Sequence, residues 1–221
     1  MTRELDFRPE NVEVGTSFFD RVFHNFIRLE DRWQPRQVFL FSGHMIDTPD
    51  RLTPRRFPPE KESIAAQKIA DTLDQFGAGP DDLALTQGAC GGDLLFTEAC
   101  HQRGVKMHWL QPFAEPDFIR KSVVPGGEAW RKRYLAAKSR LAAPIRSIPD
   151  ELGGQLPQTD PYERCNLWLL YTALAHGADK VRFICLWNGE GGDGPGGTAH
   201  MYKEVRRRSG RVAWIDTRTL W

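Results

Sequence analysis

Apolar residues recur along this chain in two alternating rhythms. Short, nearly continuous apolar runs at 37–43, 82–88, 105–112, 180–187 and 211–217 are separated by longer segments where apolar positions return every three or four residues. Continuous runs are expected of strands covered on both faces, whereas the wider spacing predicts helices that bury one stripe. Helices are accordingly predicted at 60–76, 93–104, 127–142, 160–178 and 198–210. The first of these sets Ala66, Ile69, Leu73 and Phe76 near one face, and the second stops at Gly104. Asp160 and Pro161 supply a cap and a first-turn proline for the fourth, which is apolar nearly all round from Leu167 to Ala175 and so reads as buried. Residues 144–149 read as a weak strand or a connection. Strands alternating with helices predict βαβ units, hence an α/β, doubly wound, mainly parallel, Rossmann-like sheet with helices on both faces.

Ahead of that pattern, residues 16–33 place Phe19, Phe23, Phe26 and Ile27 at helical spacing behind Thr16 and Ser17 as cap candidates. The expected organisation is an N-terminal arm with an amphipathic helix at 1–35 and a Rossmann-like domain at 36–221. The apolar face of that helix suits packing on the main body or pairing with a second copy in a homodimer.

Composition narrows the function. A net charge of +1 over 221 residues gives no overall field to draw the chain to nucleic acid or an anionic membrane. Basic runs such as "WRKRY" and "RRRSGR" read as solvated helix faces. The four cysteines, at 90, 100, 165 and 185, show no CxxC spacing, which fits reduced thiols and a cytoplasmic location. The first residues show no signal-peptide pattern, and no apolar run approaches the ~20 residues of a membrane helix. His44 and Asp47 lack a third metal ligand at fixed spacing, so no metal and no resident cofactor are expected.

Three predicted strand ends carry unusual sequence: "FSGHMID" (41–47), "TQGACGGD" (86–93) and "WNGEGGDGPGGT" (187–198). The last holds six glycines between Gly189 and Gly197, a costly concentration of backbone freedom. In doubly wound sheets, ligands bind outside the carboxyl ends of strands. Helix N-termini there offer unpaired amides and a positive dipole end to a phosphate, provided no Cβ blocks the approach. Gly88, Gly91, Gly92 and Asp93 lead into the second helix, and Gly196, Gly197 and Thr198 into the last. The expectation is that both termini meet on one rim and share an anion; the rival account is that these glycines make tight turns. Ser42, Gly43 and His44 are candidates for polar contact with the ligand and Trp187 for stacking on a base. Asp193 could bond ribose hydroxyls or form an Asx-turn. Arg55 and Arg56, in the proline- and arginine-rich stretch 47–62, are phosphate-clamp candidates. Cys90 precedes a helix N-terminus, where a thiolate with His44 as base is conceivable, but a small residue filling a tight turn is the better account.

"FSGH", "TQGACGGDLLFTEA" and "DGPGGTAHMYKEV", in that order, resemble the SLOG superfamily of Rossmann-like domains. That superfamily includes LOG-type phosphoribohydrolases and DprA-type DNA-processing proteins. The closest likeness is to small bacterial SLOG-like domains attached to tetratricopeptide repeats or cyclase modules. The resemblance spans roughly 37–216 and implies a nucleotide or nucleotide-derived phosphorylated ligand, with a sensor or regulatory role. It also implies an alternative, N-glycoside hydrolysis of nucleoside monophosphates, for which Asp93 and Glu98 are the catalytic candidates. A second alternative is DprA-like binding of single-stranded nucleic acid, which the neutral charge disfavours. One departure from the hydrolases stands out. Their glycines are followed by xGTxxE, whereas here the residue three beyond Thr198 is Met201 and the nearest glutamate is Glu204.

Overall fold

The structure is a computed structural model that describes residues 33–48, 50–51, 55–154, 157–191, 196–209 and 211–221. The amphipathic helix expected at 16–33 falls almost wholly outside the described residues. So do Asp193 and Pro195.

Among the described residues six strands form one sheet: β1 (Val38–Gly43), β2 (Leu83–Thr86), β3 (Lys106–Gln111), β4 (Arg146–Ser147), β5 (Val181–Trp187) and β6 (Val212–Asp216). Their spatial order is β4-β3-β2-β1-β5-β6, and every pairing is parallel. Between them run α1 (Glu62–Gln75), α2 (Gly92–Gln102), α3 (Glu115–Ser122), α4 (Glu128–Lys138), α5 (Ile148–Glu151), α6 (Pro161–Leu174) and α7 (Thr198–Arg208), with α8 (Thr217–Leu220) closing the chain. The fold is the doubly wound, Rossmann-like α/β class that the alternation predicts.

Period-2 alternation divides the strand residues between two cores. Phe39, Phe41, Ala84, Met107, Trp109, Ile184 and Leu186 point to one face, against Ala65, Ile69 and Leu73 of α1, Phe96 of α2 and Tyr134 of α4. Val38, Leu40, Leu83, Leu85, Val181, Phe183 and Cys185 point to the other, against Leu169 and Leu170 of α6 and Met201 and Val205 of α7. Both faces are therefore dry, which is why these strands read as unbroken apolar runs. The Phe41 and Phe96 rings stack at 4.7 Å, tying β1 to α2.

The weak segment at 144–149 is the two-residue edge strand β4 followed at once by α5. Helix α3 has no counterpart in the sequence pattern. Asp160 does cap α6: its carboxylate accepts the Glu163 amide at 2.9 Å, with Pro161 at the first helical position. All four cysteines are free and buried. No helix among the described residues is long and apolar enough to cross a membrane.

Candidate functional site

The strand order reverses beside β1, with β2 on one side and β5 on the other. Helix α1 lies on the face of the first core and α7 on the face of the second. The chain leaving β1 and the chain leaving β5 thus part toward opposite faces, which leaves a crevice at the carboxyl edge. A cavity of about 580 Å³ occupies this position, within the range of small-molecule sites. Residues 42–48 at the end of β1 and beyond it, Gln87 and Ala89 of the β2–α2 connection, Asp93 in the first turn of α2, and Gly196, Gly197 and Thr198 line it. So do Trp187, Ser122 at the end of α3, and Asp160, Tyr162 and Asn166 at the start of α6.

The α7 terminus borders the cavity through Gly197 and Thr198. Its N-cap is Gly197, and no side chain caps the first-turn amides. Thr198 Oγ1 and Ser42 Oγ lie 3.1 Å apart, joining the end of β1 to the head of α7. Asn166 Nδ2 donates to the Gly196 carbonyl at 2.7 Å, while its Oδ1 accepts from Gln87 Nε2 at 3.0 Å. A Cβ on Gly196 would overlap Tyr162 Cβ and Asp160 Oδ1 and stand 2.5 Å from the Glu163 nitrogen. The glycine therefore lets the loop press against the capped start of α6. Trp187 ends β5 beside this loop, its Nε1 donating to the Glu190 carbonyl at 2.7 Å and its ring packed on Tyr202 and Trp214.

The second helix terminus reaches the same cavity through Ala89 and Asp93 but turns its glycines elsewhere, which corrects the expectation that both termini share an anion. The Gly92 amide donates to the His44 carbonyl at 3.0 Å, and the Leu94 and Leu95 amides turn back to Ala89 and Gly91. Gly91, at φ +95°, lies so close to the chain after β1 that a Cβ would overlap the Ile46 nitrogen. Gly88, at φ +88°, sits under the Trp109 ring. These three glycines serve backbone and ring packing, and none lines the cavity. Asp93 does line it. Its Oδ2 accepts the Gly88 and Ala89 amides at 3.2 and 3.3 Å, and burial pushes its carboxyl up to about 6.

Glu98 and Arg55 are also corrected. Glu98 faces α4, where Arg133 grips it through two bonds of 2.7 and 2.6 Å and reaches Glu62 as well. Arg55 forms a bidentate pair with Glu60 on the surface, at 2.6 and 3.0 Å. Neither lines the cavity. Arg56 does, joined by Arg51, which no pattern in the sequence marks out. Asp47 anchors this stretch by accepting the Arg56 and Phe57 amides at 2.9 and 3.0 Å, with Arg51 Nε 3.5 Å from its other oxygen.

His44 Nε2 meets Asn188 twice, 3.1 Å from its backbone amide nitrogen and 3.2 Å from its side-chain Oδ1. Burial, reinforced by the nearby Arg56 charge, lowers it to about 4. Cys90 is the filler that the tight turn predicts. Its thiol is fully buried, packed where a Cβ on Gly126 would clash, and burial raises it to about 12. Among the described residues no cluster of three His, Cys, Asp or Glu could hold a metal.

The chain matches no protein-family model and no curated protein sequence. Among solved structures it is similar to a Moco carrier protein from Chlamydomonas reinhardtii, with 12% identity and a TM-score of 0.32. That match covers 81% of this chain and 89% of the other.

Proposed function

We propose that this domain binds a nucleotide or nucleotide-derived phosphorylated molecule in the switch-point cavity, as a sensor or regulatory module that does not turn the ligand over. One observation carries the reading. The α7 terminus, capped by Gly197 without a side chain, opens beside the Ser42–Thr198 hydroxyl pair in the cavity at the topological switch. A phosphate there meets unpaired amides, the positive end of the helix dipole and two hydroxyls. Gly196, Gly197 and Thr198, which end the SLOG-like "DGPGGT" stretch, border the cavity, which supports the same reading. Trp187 borders the cavity and offers a ring for a base.

The absence of turnover rests on the carboxylates. Glu98 is held by Arg133, and Glu204 pairs with Arg207 and Arg208 on α7. Asp93 faces the cavity, but its Oδ2 closes the β2–α2 turn. Four buried free thiols support a cytoplasmic home.

Melting in the presence of nucleoside mono- and diphosphates tests the proposal. A ligand at 100 times its Kd adds about 2.7 kcal/mol, a rise of roughly 5–11 °C for a domain of this size. Ser42→Ala combined with Thr198→Val is expected to weaken binding about tenfold through lost hydroxyl contacts. No free base should accumulate during long incubation. Failure of every nucleotide to raise the melting temperature sinks the reading, and release of base moves it to the hydrolase class. Glu98→Gln is expected to leave nucleotide affinity unchanged and to cost about 1 kcal/mol, because its ion pair is partly exposed, 27% at Arg133 and 35% at Glu98. A loss of affinity in that variant, read by the same melts, would return Glu98 to the site.

A further inference from the structure

Resting on that reading, we propose that the ligand carries two anionic groups, and that the second is held by Arg51 and Arg56 on the wall opposite α7. The two walls belong to different faces of the sheet. Thr198 heads a helix packed on the Val38–Leu40 face, whereas the stretch bearing Arg51 and Arg56 leads into α1 on the Phe39–Phe41 face. Ile46 and Phe57, which bracket that stretch, are buried in the core of the α1 face. Both arginines and Thr198 nevertheless border one cavity. A ligand seated on α7 therefore extends across the carboxyl edge toward two guanidinium groups.

The arginine wall is electropositive for reasons visible in the chain. Arg51 Nε stands 3.5 Å from one Asp47 oxygen, and the other accepts the Arg56 and Phe57 amides. Arg56 feels both burial and the like charge of Arg51, each of which disfavours its cationic form. His44, on the same wall, is pushed down by both arginines in addition to burial. Guanidinium groups keep their protons in proteins, so both arginines bring fixed positive charge to the cavity that Thr198 also borders. A phosphoryl group is the natural partner, because it can take planar, paired donors from each arginine.

The test compares three probes by calorimetry: adenosine 5′-monophosphate, adenosine 5′-diphosphate and adenosine 3′,5′-bisphosphate. At least one two-phosphate probe is expected to bind roughly tenfold or more tightly than the monophosphate. In R51Q, R56Q and the double variant that advantage should shrink below about twofold, since a neutral amide removes the charge-assisted bonds. Arg56 meets Asp47 through its backbone amide, so the anchor survives these changes; melting curves verify that each variant folds. If the monophosphate binds and neither two-phosphate probe binds more tightly, this inference is overturned while the nucleotide site stands. Arginine variants that keep the full preference overturn it equally. If no probe binds the wild type, the nucleotide site and this inference fall together.

Discussion

Gly91→Ala is expected to cost about 3–5 kcal/mol and to lower the melting temperature by roughly 10 °C. Two penalties coincide at this position. Its φ of +95° is a conformation that an L side chain enters only with strain. The added carbon would also overlap the Ile46 nitrogen and stand 2.8 Å from the His44 carbonyl oxygen. Neither obstacle is the tip of a flexible side chain. Both belong to the backbone after β1, which is tied down by Ile46 N to Cys90 O at 3.3 Å and Gly92 N to His44 O at 3.0 Å. Relief must come from moving residues 44–47, which form a cavity wall, so ligand affinity should fall together with stability. Gly77→Ala is the control. That glycine also has a positive φ, +60°, but nothing lies within 4 Å of an added Cβ, and the expected loss is only about 1 kcal/mol. Thermal melts of the two variants decide the matter: equal losses would show that packing against the chain after β1 contributes nothing.

The same glycines explain what could be read from the sequence and what could not. A glycine at a strand-to-helix turn announces that something comes close, without saying whether it is a ligand or another stretch of backbone. Gly197 lines the cavity, whereas at Gly91 the neighbour is Ile46. Only the tertiary fold separates the two cases. The strands were legible because each alternates between two buried faces, and α6 because Asp160 and Pro161 mark its start. Helix α3 was not, since its eight residues bury only Phe118 and Ser122, too few to set up a rhythm. The part of the site donated by α6 was hidden for a related reason. An apolar helix reads as core, and it masks the polar residues of its first turns. One signal was available there: Asn166 stands immediately before the apolar stretch that begins at Leu167 and needs buried partners, which it finds in Gly196 and Gln87. In the long stretch after β1, no period fixes which arginine turns inward. Arg55 pairs with Glu60 outside while Arg51 and Arg56 border the cavity.

Two buried groups that line that cavity should give pH profiles of opposite slope. Burial raises the Asp93 carboxyl from 3.8 to about 6 in the folded protein. Its contribution is therefore fully favourable below about pH 3.8 and is lost as pH climbs through 6, where the fold must house a buried charge. His44 is lowered from 6.5 to about 4. Its contribution is fully present above pH 6.5 and is lost as pH falls through 4, where a buried imidazolium must form. Each shift of two units or more corresponds to about 3 kcal/mol. Across pH 4–6.5 the two effects oppose one another, and in the wild type they largely cancel. Removing one exposes the other. Asp93→Asn keeps an oxygen for the Gly88 and Ala89 amides, and relative to wild type it should gain up to about 3 kcal/mol between pH 4 and 6.5. His44→Gln should show the mirror image, gaining on the wild type as pH falls through the same window. Other histidines shifted by burial, such as His101 and His108, are common to all three proteins and drop out of the differences. Denaturant melts at half-unit pH steps read both curves directly. Parallel curves for wild type and Asp93→Asn would mean that this carboxyl titrates at its ordinary value and is not closed off from water at the cavity floor.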